Sequence, residues 1–347
     1  MVRAAGVRMP AEWEPHEATW IAWPHNREDW PGRFAPVPWV YAEIVRKLAR
    51  VERVRILVQD ERLQAQARRV LERANAPLDS VEFFVCPTNR VWTRDYGPIF
   101  VRDGRGSVGI TAWRFNAWAK YDDWQLDAGV PRFVGGQLRL PLSEAGMVLE
   151  GGSIDVNGDG LLLTTKECLL SDVQARNPEM GREQIEARFA ACLGVRRVIW
   201  LGRGIAGDDT HGHVDDIARF VSGDTVVAAW EEDRLDVNHE PLRENVGILR
   251  AAGLRVVKLP MPSPLVFDGR RLPASYANFY IANGLVLMPT FNDPNDRLAL
   301  GLLARVFPDR EVTGINCTEL IWGLGALHCM TQQQPASGVE PASRRRR

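Results

Sequence analysis

Ser153-Ile154-Asp155-Val156, Asn157-Gly158-Asp159-Gly160 and Leu161-Leu162-Leu163-Thr164-Thr165 follow one another in the middle of the chain, and the architecture is read from them. Two short runs flank Asn-Gly and Asp-Gly steps, the dipeptides that supply the positive φ values of a tight hairpin. Asp155, Asn157, Asp159 and Gly160 also imitate the opening of a calcium loop. Lys166 stands where that loop needs a bidentate Glu, so the segment reads as a turn. A helical pattern follows over 182–193, with Ile185, Phe189 and Leu193 on one face, and then a strand over 197–201.

The same order returns on both sides. Downstream come a strand at 214–221, the turn Ser222-Gly223-Asp224, a strand at 225–230, a helix at 242–252 and a strand at 254–259. Then come 275–282, the turn Asn283-Gly284, 285–289, a helix at 297–306 and 311–316. Upstream, 96–101, Asp103-Gly104 and 107–113 make a partial copy. The turns recur every ~55 to 65 residues, room for one supersecondary unit each. Near the N-terminus, 17–23 resembles a second strand without a first, followed by a helix at 40–48 and a strand at 54–58. Near the C-terminus, 325–331 resembles a first strand without a second. Joined, these orphans form a fifth copy, and a ring closed in this way leaves no sheet edge. The expectation is an α/β fold in which residues 1–331 form a single five-module α/β propeller with pseudo-fivefold symmetry, its terminal strands paired. Residues 332–347, which lack apolar periodicity and end in Arg344, Arg345, Arg346 and Arg347, read as a disordered basic tail.

Composition excludes several classes of function. The chain has 347 residues, 45% hydrophobic and 25% charged, with a formal net charge of -1. This is the profile of an ordinary folded protein, with no overall basicity for nucleic acid and no apolar run long enough for a membrane. Residues 1–10 lack the apolar region of a secretory signal, so the expected location is cytoplasmic. Cys86, Cys168, Cys192, Cys317 and Cys329 are an odd number with no C-x-x-C pair, which suits free thiols in a reducing compartment. A homo-oligomer is left open.

If the first strands run near one axis, their starts bring Asp95, Glu150, His213 with Asp215, Ser275 with Asn278, and Cys329 to one pocket. In Asp208-Asp209-Thr210-His211-Gly212-His213-Val214-Asp215, the residues His211, His213 and Asp215 alternate, which on a strand puts them on one face. That set suits acid/base catalysis beside a cation-binding carboxylate, a metal site, or a polar turn. Trp92-Thr93-Arg94-Asp95 places an acid beside aromatic rings, either to receive a guanidinium or as a surface Arg94–Asp95 pair. Glu150-Gly151-Gly152 puts a carboxylate before glycines that let backbone approach a ligand, or is a flexible strand entry. Cys329 follows small residues in Gly323-Leu324-Gly325-Ala326-Leu327-His328-Cys329. Its neighbour His328 is expected on the opposite strand face, which leaves His213 as the better base.

In these motifs the sequence resembles the agmatine deiminases and related bacterial-type peptidyl-arginine deiminases, a guanidino-group modifying family. Trp20-Ile21-Ala22-Trp23-Pro24, Thr93-Arg94-Asp95-Tyr96-Gly97-Pro98, Glu150-Gly151-Gly152, Gly212-His213-Val214-Asp215 and Gly325-Ala326-Leu327-His328-Cys329 occur in the family's order, and the likeness runs from Met9-Pro10-Ala11-Glu12-Trp13 to Cys329. The resemblance implies a pentein-like propeller and a hydrolase that converts agmatine to N-carbamoylputrescine and ammonia in putrescine metabolism, with no cofactor and no metal. It implies Cys329 as nucleophile, His213 as acid/base, Asp95 and Asp215 as guanidinium clamps, Glu150 as a supporting carboxylate and Trp92 as a channel wall. The partner is a small cationic guanidino compound. The family's longer agmatine deiminases carry Glu-Thr and then Asn or Asp before Gly-His. Here Asp209-Thr210-His211 keeps the acid one methylene shorter, about 1.5 Å less reach toward a distal amine. Peptidyl-arginine as substrate, a metal-dependent amidohydrolase using His211, His213 and Asp215, and a non-catalytic amine binder are the alternatives.

Overall fold

The computed structural model describes residues 6–338. Its strands fall into repeated sets of three. The first is β1 (His16–Ala22), β2 (Arg53–Val58) and β3 (Val81–Val85). The second is β4 (Ile99–Arg102), β5 (Val108–Arg114) and β6 (Leu142–Val148). The third is β7 (Asp155–Val156), β8 (Leu161–Thr165) and β9 (Arg197–Leu201). The fourth is β10 (Ala218–Phe220), β11 (Thr225–Trp230) and β12 (Arg255–Pro260). A small hairpin, β13 (Val266–Phe267) with β14 (Arg270–Arg271), precedes the fifth set: β15 (Tyr280–Ala282), β16 (Leu285–Thr290) and β17 (Glu311–Asn316). Finally β18 (Gln332–Pro335) returns to β1, giving the order β18-β1-β2-β3.

From the second set to the fifth, the first two strands pair antiparallel and the last two parallel. In the first sheet β18 occupies the first-strand place, antiparallel to β1, with β1 parallel to β2. A parallel pair needs a crossover. Helices Val37–Leu48, Arg182–Leu193, His239–Ala251 and Asn295–Val306 supply four of these. Ile185, Phe189 and Leu193 are buried, as the helical period requires. Gly194 ends that helix at φ +70°, where a Cβ would lie 2.0 Å from the Val7 carbonyl oxygen, so only glycine fits this cap. Among the described residues no helix is long and apolar enough to cross a membrane.

The expected first strands are too long at their starts. Thr93–Tyr96 is a single helical turn, and Gly151–Ser153 and Val214–Asp216 are 3-10 turns, each ahead of its strand. Residues 325–331 are likewise not a strand. The chain bends at Leu324 (φ +71°), and the Thr331 N–H bonds back to the His328 carbonyl at 3.1 Å before β18 begins. The disordered tail expected from Gln332 is therefore corrected for Gln332–Pro335, a buried strand in which Gln333 faces Thr19. Its glutamines are polar yet buried because each amide makes at least one hydrogen bond: Gln334 Oε1 accepts from Trp20 Nε1 (3.0 Å), Gln333 Oε1 from Arg94 (2.7 Å), and Gln332 Nε2 donates to Pro98 O (2.8 Å). Arg344–Arg347 lie outside the described residues.

Candidate active site

The turns ahead of the strands carry most of the candidate residues. They meet beneath a cavity of about 540 Å³ lined by Trp92, Asp95, Trp118, Asp209, Gly325 and Cys329 among others. Asp95 sits in the Thr93–Tyr96 turn. Its Oδ2 accepts from Trp118 Nε1 (2.9 Å) and its Oδ1 from the Gly152 N–H (3.1 Å). Trp118 is presented by three consecutive residues at positive φ, Ala117 (49°), Trp118 (59°) and Ala119 (53°), a costly backbone for residues with a Cβ. Arg94 is not a surface partner of Asp95. It is buried and donates to Gln333 Oε1 (2.7 Å) and Glu12 Oε2 (3.3 Å), while its backbone N–H bonds Cys329 O (3.1 Å).

The Glu150-Gly151-Gly152 segment explains its glycines. A Cβ on Gly151 would meet the Arg94 carbonyl at 2.2 Å. A Cβ on Gly152 would lie 2.6 Å from His213 Nδ1, 2.7 Å from Asp95 Oδ1 and 3.1 Å from Asp215 Oδ2. Backbone is thus threaded between three site side chains. Glu150 is buried, receives Arg176 Nε at 3.1 and 3.3 Å, and lies 3.4 Å from His213 Nε2. His213 Nδ1 is 3.7 Å from Asp95 Oδ1 and has no hydrogen-bond partner among the described residues. Asp215 Oδ2 lies 2.7 Å from His328 Nδ1 and 3.8 Å from Cys329 Sγ. Asn278 Nδ2 donates to that sulfur at 3.1 Å. Trp92 packs on Trp30 and against Gly325, where a Cβ would meet its ring at 2.6 Å, so this glycine makes room for the indole.

Two expectations about histidine are corrected. His211 does not share a face with His213 and Asp215. The segment is a turn, His211 has φ +62°, and its Nε2 meets Ser171 Oγ at 3.1 Å. His328 is not turned away from the site. Because 325–331 bends, strand alternation does not apply, and the ring bridges Asp215 and Glu12, whose Oε2 lies 2.8 Å from Nε2. Asp209 lies at the cavity's outer part, paired with Lys120 Nζ (2.5 Å), Arg270 (3.0 Å) and Tyr121 Oη (2.7 Å).

Charge within the cluster is unevenly settled. Burial pushes the Asp95 carboxyl up to about 7, with Asp215 and Glu150 adding to the rise and His213 opposing it. Burial would also raise Glu150, but Arg176 and His213 outweigh it and hold it at about 2. Burial opposes a charge on His213, yet Asp95, Cys168 and Glu150 carry its pKa well above the usual value. Asp215 stays below the usual carboxylate range despite burial, because His328 hydrogen-bonds it. Burial and the carboxylates Asp215, Asp216 and Asp95 lift the Cys329 thiol well above its ordinary range. The donor atoms of Glu150, Cys168 and His213 lie within 4.8 Å of one another, close enough to share a metal ion. Arg176 fixes a positive charge against both Glu150 oxygens, which opposes a cation there.

Sequence reasoning missed Glu12, Trp118, Arg176 and the role of His328. Glu12 stands in the quoted Met9-Pro10-Ala11-Glu12-Trp13 segment, yet its position carries no local chemical signal. Arg176 lies in an irregular segment and Trp118 in the short turn Ala117–Lys120, neither long enough to show a periodicity.

Residues 8–335 match the model of the Porphyromonas-type peptidyl-arginine deiminase family. A putative agmatine deiminase of Selenomonas ruminantium is 38% identical, over 96% of this chain and 97% of that protein. The agmatine deiminase of Stutzerimonas stutzeri (strain A1501) is also 38% identical, over 97% and 98%. The structure of a cysteine-to-serine variant of the C. jejuni agmatine deiminase with substrate bound aligns with a TM-score of 0.88 at 29% identity, covering 95% of this chain and 97% of that one. The chain belongs to the Porphyromonas-type peptidyl-arginine deiminase family.

Proposed function

We propose that this chain hydrolyses the guanidinium group of agmatine to N-carbamoylputrescine and ammonia, with Cys329 as nucleophile. The observation that carries the reading is the Cys329 sulfur in a cavity it shares with Asp95, 3.8 Å from Asp215 Oδ2. Two carboxylates flank the place where a planar cation meets the thiol. A guanidinium carbon is a poor electrophile, and paired carboxylates orient it and localise its charge. The cation also offsets the negative charges that keep the thiol protonated, so its arrival favours loss of the thiol proton to solvent and leaves the thiolate. Sulfur adds to the carbon, the bond to a terminal nitrogen breaks, and His213 gives its proton to the departing ammonia. An amidino-thioether remains. Neutral His213 then takes one proton from water as the water oxygen adds to the carbon, the carbon–sulfur bond breaks to return the thiolate, and the ureido product leaves as its oxygen gives up the second proton to solvent. Glu150, held ionised by Arg176, supports the charged form of His213.

The same reading takes the five sheets as propeller modules about a pseudo-fivefold axis. Its support is the repeated strand order and the convergence of the turns that precede the first strands.

One observation favours a second substrate. Asp209 is already paired with Lys120 and Arg270, cations that would receive the carboxylate of an arginine residue. Ammonia release from agmatine, free arginine and a peptide ending in arginine, compared side by side, separates the two. Agmatine is expected to be turned over fastest, and Cys329→Ala to abolish release from every substrate. Turnover by Cys329→Ala at the parent rate removes the nucleophile assignment.

A further inference from the structure

Cys329 lies among carboxylates that disfavour its thiolate, so the donors that reach its sulfur matter. Asn278 approaches it from the turn before β15. Its amide nitrogen carries two hydrogens, and the structure gives each a partner: Cys329 Sγ at 3.1 Å and Asp216 Oδ1 at 3.0 Å. Its amide oxygen accepts from the backbone N–H groups of His328 (2.9 Å) and Cys329 (3.4 Å). The Asn278 carbonyl accepts the His328 N–H as well, at 3.1 Å. Asn278 is 1% exposed, so none of these bonds competes with bulk water.

We infer that Asn278 is a catalytic residue: its amide N–H aims the Cys329 sulfur and stabilises the thiolate, while its amide oxygen fixes the turn that presents the cysteine. This rests on Cys329 being the nucleophile. The side chain is suited to both tasks because it offers a donor and an acceptor in one plane. Asp216 orients the amide by taking its second hydrogen, so the first points at sulfur.

Asn278→Asp keeps the size and the acceptor oxygen and replaces the N–H toward sulfur with an oxygen, which removes the donor and adds a negative charge. Asn278→Ala removes the donor without adding a charge. Alkylation of Cys329 by iodoacetamide, followed across pH by mass spectrometry of its peptide, reads the thiolate without any substrate. The midpoint is expected to move up by about one pH unit, a tenfold smaller thiolate fraction at any pH below it. Asn278→Ala is expected to move it in the same direction. In the parent protein, the Asn278 side-chain amide resonance is expected to shift as Cys329 titrates. An unchanged alkylation profile in a folded variant overturns the inference, and so does an amide resonance that stays still through the thiol's titration. Ammonia release that survives full alkylation of Cys329 removes the nucleophile reading instead, while the alkylation profiles still report the Asn278 bond.

Discussion

Gly152 shows how little space separates the site's parts. Its N–H holds Asp95, and a methyl in place of its hydrogen would press on His213, Asp95 and Asp215 together. These contacts are tighter than side chains tolerate, so the clamp must spread. Displacing reacting groups by about 1 Å costs roughly a hundredfold in rate. Gly152→Ala is therefore expected to lower kcat/KM for ammonia release by about that factor or more, with a stability loss of about 1–3 kcal/mol that leaves the protein folded. A variant with near-parental activity would show that the clamp has slack. This glycine was legible in the sequence as part of a motif, but its alternative, a flexible strand entry, was equally open. His328 was misjudged for a related reason. Alternation predicts facing only where the backbone is extended, and this backbone is not. His328 lies between Asp215 and Glu12, with Nδ1 2.7 Å from one carboxylate and Nε2 2.8 Å from the other, which places it behind the proposed clamp.

The elements were legible where periodicity is strong and illegible where the chain bends. Strands β1, β2, β5, β8, β9, β11, β12, β16 and β17, and helices such as Arg182–Leu193, appear near their expected places, whereas β3 and β6 were not foreseen. The first strands begin two to five residues later than expected, because the one-turn bend ahead of each has no apolar period of its own. The last strand was missed altogether. Gln332-Gln333-Gln334 has no hydrophobic alternation, and its burial is secured by amide hydrogen bonds that no composition rule foresees. β18 covers the outer edge of β1, and its glutamines are partners of Trp20, Arg55, Arg94 and the Pro98 carbonyl. A chain ending at Thr331 loses this ladder and leaves Arg94 without its nearest side-chain acceptor in the interior. Its stability is expected to fall by several kcal/mol, a large share of the ~5–15 kcal/mol that holds a domain folded. Urea unfolding measures this; an unchanged midpoint would mean that β18 is dispensable.

At the scale of the molecule, the repeat was the most informative feature, because it states that distant segments converge before any distance is known. The site draws Asp95, Glu150, His213 with Asp215, Asn278 and Cys329 from five separate turns. What periodicity could not convey was the character of the cavity mouth, which depends on side chains from loops. Glu28, Asp29, Asp95, Asp122, Asp123 and Asp209 line the cavity, against the arginines Arg90 and Arg270. A cavity whose charged lining is mainly carboxylate focuses a negative potential outward and draws cations in, although the chain as a whole has a net charge of only -1. Such attraction scales with substrate charge and shortens with ionic strength, since the Debye length falls from about 10 Å at 0.1 M to about 3 Å at 1 M. Agmatine carries two positive charges and n-butylguanidine one. Across that range of salt, kcat/KM for agmatine is expected to fall on the order of tenfold, and for n-butylguanidine distinctly less. Equal salt dependence for the two would mean that the distal ammonium does not feel the acidic mouth, because Lys120 and Arg270 already neutralise Asp209 there.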